Sequence, residues 1–418
     1  MADVTIETSA GGVLYTSAQR GGPFWISTTD GYVIYVDSSA DLKYNKTSDG
    51  GATWGGATNI RTGTVTQFDC WADWQTLGDA GTLINIVYFD TGSNDIHYVS
   101  LDAATGIVAG DDVIEIVQGS GTFAVNTGRG ASQLTITKTR GGRYAVALHY
   151  RDSASTGFYS FYTSTDADTW TSRAIPWEGT ALDLGLLYPA NLADNDDLWM
   201  LFLDISTNEI SLKTFDDDAD VPNGAWAEAA IATMVESTLY QQFDGQVRLS
   251  DGHLILAFWN AYDVATADLL VYDITDGGTI TAKTNIITDE AESACVSVFI
   301  NQVNDDIYVA YFSGTSFTSL VACFYQKSTD GGANWGGETA MQADAEDDER
   351  WVSAGCMKAS LGGKFQPAWF NDDLDDLFTD TDNGITIAAS GGGGWSGEFC
   401  GVAVAEFDGV TPAEVDGV

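Results

Sequence analysis

Basic residues are scarce in this 418-residue chain: Lys and Arg total 17 against 60 Asp and Glu, a formal net charge of −43. Such a field repels nucleic acid and anionic membranes, so neither is expected as a direct partner. Proline is sparse as well (6 residues), and no Pro-rich linker interrupts the chain. The five cysteines, Cys70, Cys295, Cys323, Cys356 and Cys400, are odd in number and scattered. They fit neither a metal spacing nor a disulfide framework, so buried free thiols are expected, with a Cys295–Cys323 pair as the alternative. His97, His149 and His253 lie far apart without metal-ligand spacing and read as satisfied strand histidines. No run of about 18 apolar residues exists, which excludes a helical membrane span. No basic stretch and apolar core follow Met1, so no signal peptide is expected. A Gly-x-Ser-x-Gly elbow, a P-loop and a dinucleotide fingerprint are all missing.

What the chain has is short β-branched and aromatic runs with a period of two, bounded by Gly, Asp or Asn. Examples are Tyr32-Val33-Ile34-Tyr35-Val36, Leu83-Ile84-Asn85-Ile86-Val87-Tyr88, Leu198-Trp199-Met200-Leu201-Phe202 and Leu254-Ile255-Leu256-Ala257-Phe258. They predict strands joined by tight turns, and their continuous apolar stretches predict burial on both faces. Amphipathic helix is not evident. Residues 227–235 come nearest, and that Ala-rich segment reads equally well as an outer strand. The 46 glycines suit a turn-dense, all-β chain.

Three stretches are nearly alike: Thr47-Ser48-Asp49-Gly50-Gly51-Ala52-Thr53-Trp54, Ser164-Thr165-Asp166-Ala167-Asp168-Thr169-Trp170 and Ser328-Thr329-Asp330-Gly331-Gly332-Ala333-Asn334-Trp335. In each, the Asp can accept backbone N–H groups of its own turn, Gly permits positive φ, and the Trp can pack the turn down. These stretches resemble the Asp-box (BNR repeat) of sialidase-like β-propellers. That resemblance implies a structural role for Asp49, Trp54, Asp166, Trp170, Asp330 and Trp335, away from the active face. The Asp residues are 117 and 164 positions apart. Two units in the first interval and three in the second give about 58 and about 55 residues per unit, a propeller-blade period. A second landmark, an apolar strand ending in an aromatic step and a polar turn, recurs seven times. It ends at Asp37, Asp90, Asp152, Asp204, Asn260, Ser313 and Asp372.

The expectation is therefore an all-β single β-propeller over residues 1–418, with seven four-stranded blades and six as the alternative. Residues 1–12 and 390–418 are expected as closing strands or a terminal extension. Val4-Thr5-Ile6-Glu7-Thr8 would pair in the last blade, since ring closure removes sheet edges.

Acid clusters such as Asp194-Asn195-Asp196-Asp197 and Asp216-Asp217-Asp218-Ala219-Asp220 exceed what turns need. Self-repulsion on this scale requires salt, which at about 1 M shortens screening to roughly 3 Å. The composition resembles that of salt-in halophiles. Asp372, Asp373, Asp375 and Asp376 are candidate ligands for Ca²⁺ or another cation, although their spacing is not that of an EF-hand. No other cofactor is implied.

The resemblance to sialidases implies three arginines clamping a carboxylate, a Tyr–Glu nucleophile pair and an acid/base Asp. The family's Phe/Tyr-Arg-Ile-Pro stretch is missing, and Arg20 in Gln19-Arg20-Gly21-Gly22 replaces it poorly. Of nine arginines, Arg129, Arg151 and Arg350 fall near the predicted active face, with Asp69, Asp152 and Tyr150 as nameable partners. Trp71, Trp74 and Trp351 are candidate platforms for a sugar ring on that face, or else packing residues between blades. An acidic propeller without a recognisable catalytic pattern resembles the virion components of tailed viruses, and that resemblance implies a non-enzymatic structural or adhesion propeller of a virion, on the capsid or tail. Its partners would be other virion proteins and host glycans, within a homo-oligomeric, extracellular assembly. A sialidase-like glycoside hydrolase is the alternative.

Overall fold

The computed structural model describes residues 3–11, 20–93, 95–116, 133–151, 157–176, 184–192, 194–204, 207–217, 226–234, 243–260, 268–287, 292–316, 319–341, 349–358, 363–371, 374–379, 385–387, 398–399 and 402–403. Its strands assemble into seven antiparallel blades. Blade 1 runs Phe24–Trp25, Gly31–Val36, Leu42–Thr47 and Thr58–Arg61, with Cys356–Met357 added in parallel beside the first strand. Blade 2 runs Val65–Ala72, Leu83–Asp90, Asp95–Asp102 and Ile107–Ile116; blade 3 runs Gln133–Lys138, Tyr144–Arg151, Gly157–Ser164 and Thr171–Ser172. Blade 4 runs Leu184–Pro189, Leu198–Asp204, Glu209–Phe215 and Ala227–Thr233; blade 5 runs Phe243–Val247, Leu254–Trp259, Leu269–Ile274 and Ile280–Ala282. Blade 6 runs Glu292–Asn301, Asp306–Ser316, Ser319–Ser328 and Thr339–Ala340. In blade 7, Glu349–Ser353, Ala368–Asn371 and Asp376–Thr379 are completed from the other end of the chain by Val4–Glu7.

The last pairing closes the ring, as the N-terminal segment predicted. Val4 lies opposite Thr379, and Asn45 Nδ2 donates to the Ile6 carbonyl at 2.5 Å, tying the closing strand to blade 1. The far C-terminal stretch contributes one short hairpin among the described residues, Glu398–Phe399 with Val402–Ala403.

All seven recurrent landmarks are the second strands of their blades. These strands lie in the middle of the sheet with neighbouring blades on both faces, which accounts for their unbroken apolar runs. Every residue of Gly31–Val36 and of Leu254–Trp259 is buried. At about 1.5–3 kcal/mol per buried large apolar side chain, they are the main source of blade-to-blade cohesion. Outer strands are the reverse: Ala227–Thr233 is mostly exposed and is strand, not helix.

The Asp-boxes join third to fourth strands in blades 1, 3 and 6, so the intervals of two and three units were counted correctly. Asp49 accepts the Thr53 N–H at 2.9 Å and its hydroxyl at 2.6 Å, and the Gly51 N–H donates to Thr47 Oγ1 at 2.9 Å. Asp330 repeats this with Asn334, Gly332 and Ser328. The middle box is one residue shorter, and Ala167 takes the left-handed backbone (φ 63°) that glycines supply elsewhere. The box tryptophans pack inward: Trp54 against Trp25, Trp170 against Tyr98, and Trp335 with its indole N–H on the Thr284 carbonyl.

Strand alternation places the Asp-boxes on one face, together with the turns between first and second strands. Turns between second and third strands lie on the other face. There Asp37 caps its own turn through Ser39 and Asp41 N–H groups, Asp90 holds Gly92 N–H and Arg61, and Asp204 holds Thr207. Asp152, Asp263 and Asp372 lie outside the described residues. Cys70, Cys295, Cys323 and Cys356 are buried free thiols, so the Cys295–Cys323 alternative is not realised; Cys400 lies outside the described residues. Among the described residues no helix is long and apolar enough to cross a membrane.

Candidate functional site

The innermost strand of each blade has one edge facing the central axis, and its N–H groups there need partners. The chain supplies them from the neighbouring blade. Asp69 accepts the Ile136 N–H at 2.9 Å, Thr135 Oγ1 accepts Leu187 N–H at 3.1 Å, Asp244 accepts Val298 N–H at 2.9 Å, and Ser297 Oγ accepts Ala354 N–H at 2.9 Å. Each is a polar residue in an otherwise apolar strand, clasping blade n to blade n+1. The sequence carries a trace of this device in Gln67-Phe68-Asp69 and Gln242-Phe243-Asp244. Both tripeptides place their Asp on an innermost strand, a repeat the sequence reading passed over.

Arg20 plugs the axis. Its Nε and backbone N–H donate to Asp69 Oδ1 at 3.0 and 3.1 Å, and a terminal nitrogen completes a bidentate pair with Asp69 Oδ2. The remaining donors reach the Leu187 carbonyl at 3.2 Å, Thr135 Oγ1 at 3.1 Å and the Ile136 carbonyl at 2.6 Å. The guanidinium also lies 5.0 Å from the Trp71 ring centroid and 5.6 Å from that of Tyr188. Burial works against its charge, yet Asp69 keeps its pKa above the ordinary arginine value. One guanidinium therefore links blades 2, 3 and 4, and each of its three nitrogens donates internally.

Beside Arg20 lies a small cavity of about 20 Å³ bordered by Gln75, Asp244, Gln246, Ser297 and Ser353. That is room for roughly one water molecule. Burial pushes the Asp244 carboxyl up to about 6, against the opposing hydrogen bonds from Val298 N–H, Ser297 Oγ and its own neighbour Gly245.

The tryptophan platforms need correcting. Trp71 and Trp74 are 1% and 2% exposed and Trp351 is fully buried, so none presents a ring to a sugar. Trp71 closes on Thr76 Oγ1 at 2.9 Å and sits at the end of its strand, on the Asp-box side rather than the predicted active face. The packing alternative describes all three. Arg151 ends the second strand of blade 3 and Arg350 lies near the start of the innermost strand of blade 7, both at the opposite face, as expected from the blade count. Their side chains, and Arg129 altogether, lie outside the described residues, as do Asp152, Asp372 and Asp373. Asp375 and Asp376 form the turn into the third strand of blade 7, where the Asp375 carbonyl accepts Ala10 N–H at 2.8 Å. Among the described residues no His, Cys, Asp or Glu group is arranged to hold a metal ion.

The other described arginines are paired with acids. Arg61 binds Asp90 and Asp111, Arg140 binds Asp276, and Arg248 binds Asp251. Arg143 and Arg173 converge on Asp217. The last pair borders an open hollow of about 400 Å³ on the Asp-box face, within the size range of small-ligand sites. Arg143 precedes the second strand of blade 3, Arg173 follows its outer strand, and the shortened Asp-box forms the remaining wall through Thr165, Thr169 and Thr171. The sequence reading named Asp217 only as part of an acid cluster and gave Arg143 and Arg173 no role, because their convergence depends on how blades 3 and 4 are set side by side. The histidines are in strands or their turns: His97 stacks on Tyr88, His149 on Tyr159, and His253 Nδ1 lies 2.7 Å from Asp273.

No family model matches the chain, and no curated protein matches it. Solved structures do. A polysaccharide lyase of family PL25, an ulvan lyase, aligns with a TM-score of 0.52 at 12% identity, over 90% of this chain and 94% of that one. The fucose-specific lectin from Aleuria aurantia aligns with a TM-score of 0.48 at 12% identity, over 81% and 99% of the two chains. A Hadza microbial sialidase aligns at 0.48 and 14% identity over 73% of this chain, which spans 65% of that sialidase's length. At these identities the likeness is one of propeller fold.

Proposed function

We propose that the chain is a non-enzymatic structural or adhesion propeller of a virion, touching glycans through its faces and adapted to high salt. The observation that carries the non-enzymatic reading is the closed axis. Arg20, the arginine that stands in place of the sialidase clamp in sequence, is locked on Asp69 and spends its donors on blades 2, 3 and 4. A carboxylate-clamping arginine needs free, convergent donors. The remaining described guanidiniums named above are likewise held by acids. The glycan reading draws on the polar hollow of blade 3 and on a fold shared with saccharide-handling proteins. The virion reading rests on the resemblance of such acidic propellers to virion components of tailed viruses, and genomic neighbours encoding capsid or tail proteins are its expected signature.

The test pairs a glycan array with fluorogenic sialosides and polysaccharide substrates. Retention on glycans without product is expected. Hydrolysis abolished by Arg151→Ala or Arg350→Ala would establish the glycoside hydrolase reading instead.

A further inference from the structure

We infer that the hollow between the blade 3 Asp-box and the guanidiniums of Arg143 and Arg173 is a saccharide site that grips a vicinal diol of an uncharged sugar. This rests on the glycan-contacting reading above and specifies its site and ligand class. The space is about 400 Å³ and opens to solvent on the Asp-box face, remote from the plugged axis. Its walls are polar, and their hydrogen-bonding capacity is only partly used. Arg143 commits one terminal nitrogen to Asp217, and its other terminal nitrogen lies 3.7 Å from Asp196. Thr165, Thr169 and Thr171 are exposed around the rim. Guanidiniums and the Asp166 carboxylate among exposed hydroxyls offer donors and acceptors side by side, which matches adjacent sugar hydroxyls that both give and accept hydrogen bonds.

Charge selects against an anionic sugar. The two guanidiniums face Asp217, the Asp-box carboxylate Asp166 and Asp196, whose oxygen lies 3.7 Å from Arg143. The local balance is therefore one negative charge in excess, inside a molecule of −43. A sulfate or uronate would enter a field that opposes it.

The shorter Asp-box gives this hollow its shape. In blades 1 and 6 the box Asp bonds the N–H four residues on, whereas Asp166 bonds Thr169 three residues on, which sets Thr169 and Thr171 on the rim. Because Thr169 meets the box through its backbone N–H, its side chain can be changed without opening the turn.

The experiment is saturation-transfer NMR and calorimetry of the full chain at high salt. The probes are methyl glycosides of mannose, galactose and fucose, set against glucuronate and a sulfated galactoside. At least one neutral glycoside is expected to bind, and the double variant Thr169→Val/Thr171→Val should weaken it about tenfold or more at an unchanged melting temperature. Thr165→Val, on the same rim, is the second variant, expected to weaken binding in the same direction. Neutral-sugar binding untouched by either variant would overturn this site and leave the adhesion reading standing. Binding of only the charged sugars would overturn the ligand class. No binding of any saccharide, here or on the array, would overturn both readings.

Discussion

Ala167 bears the consequence of a one-residue deletion. Where the other two boxes place paired glycines, this alanine must hold φ near 63°, a conformation that costs an L-residue about 1–2 kcal/mol. Ala167→Gly relieves that strain at the expense of some unfolded-state entropy, so a gain of about 0.5–1 kcal/mol is expected by urea denaturation. Asp244 gives a second residue-level expectation. Its folded pKa, raised to about 6, lies above the ordinary aspartate value near 3.8. The folded state therefore binds the proton more tightly than the unfolded one. This group's contribution is most favourable below pH 4 and declines as pH rises to 6, by on the order of 3 kcal/mol. Asp244→Asn should flatten that part of the stability–pH curve. The Asp-box carboxylates act oppositely: hydrogen bonds from Thr53 and Asn334 hold Asp49 and Asp330 at about 2. Carboxyl-carbon NMR titration would separate the two classes directly.

At the scale of elements, the clasp between innermost strands makes a sharp demand. Removing Asp69 leaves the Arg20 guanidinium buried and also orphans the Ile136 N–H. Asp69→Ala is expected to cost about 3–5 kcal/mol, with Arg20→Met/Asp69→Leu recovering much of it, measured by denaturant unfolding. The strands themselves were legible because a central blade strand is apolar without alternation and ends in a turn. Leu198–Asp204 and Leu254–Trp259 announce themselves in that way. The clasps were less legible, because one polar residue inside an apolar run reads as noise until the next blade is beside it. Trp71 left two readings open, sugar platform or packing residue, for a related reason. Counting blades locates a strand but not whether a ring on it points to solvent or to Arg20.

At the scale of the molecule, two sequence features set the architecture: the Asp-box ruler, whose period the sevenfold strand landmark shares, and the N-terminal strand, which pairs in the last blade. Val4–Glu7 in blade 7 joins the two ends of the chain, so the ring is as cooperative as its seam. The charge of −43 acts on the whole ring at once. Pairing absorbs part of it, through contacts such as Lys43–Asp37 and Lys327–Asp306, but acids outnumber bases more than threefold. The melting temperature should therefore rise steadily as NaCl or KCl goes from about 0.1 M to 1 M and above, as screening shortens. A melting temperature insensitive to salt would contradict the halophilic reading. The site was the least legible part, since residues 30 positions apart, Arg143 and Arg173, line one hollow only in the folded blade 3 and meet Asp217 only across to blade 4. The account's central claim is binding without turnover, and incubating the protein with the glycans it retains, then analysing the supernatant by mass spectrometry, tests it most directly. Intact glycans after prolonged incubation are predicted; shortened or unsaturated products would contradict it.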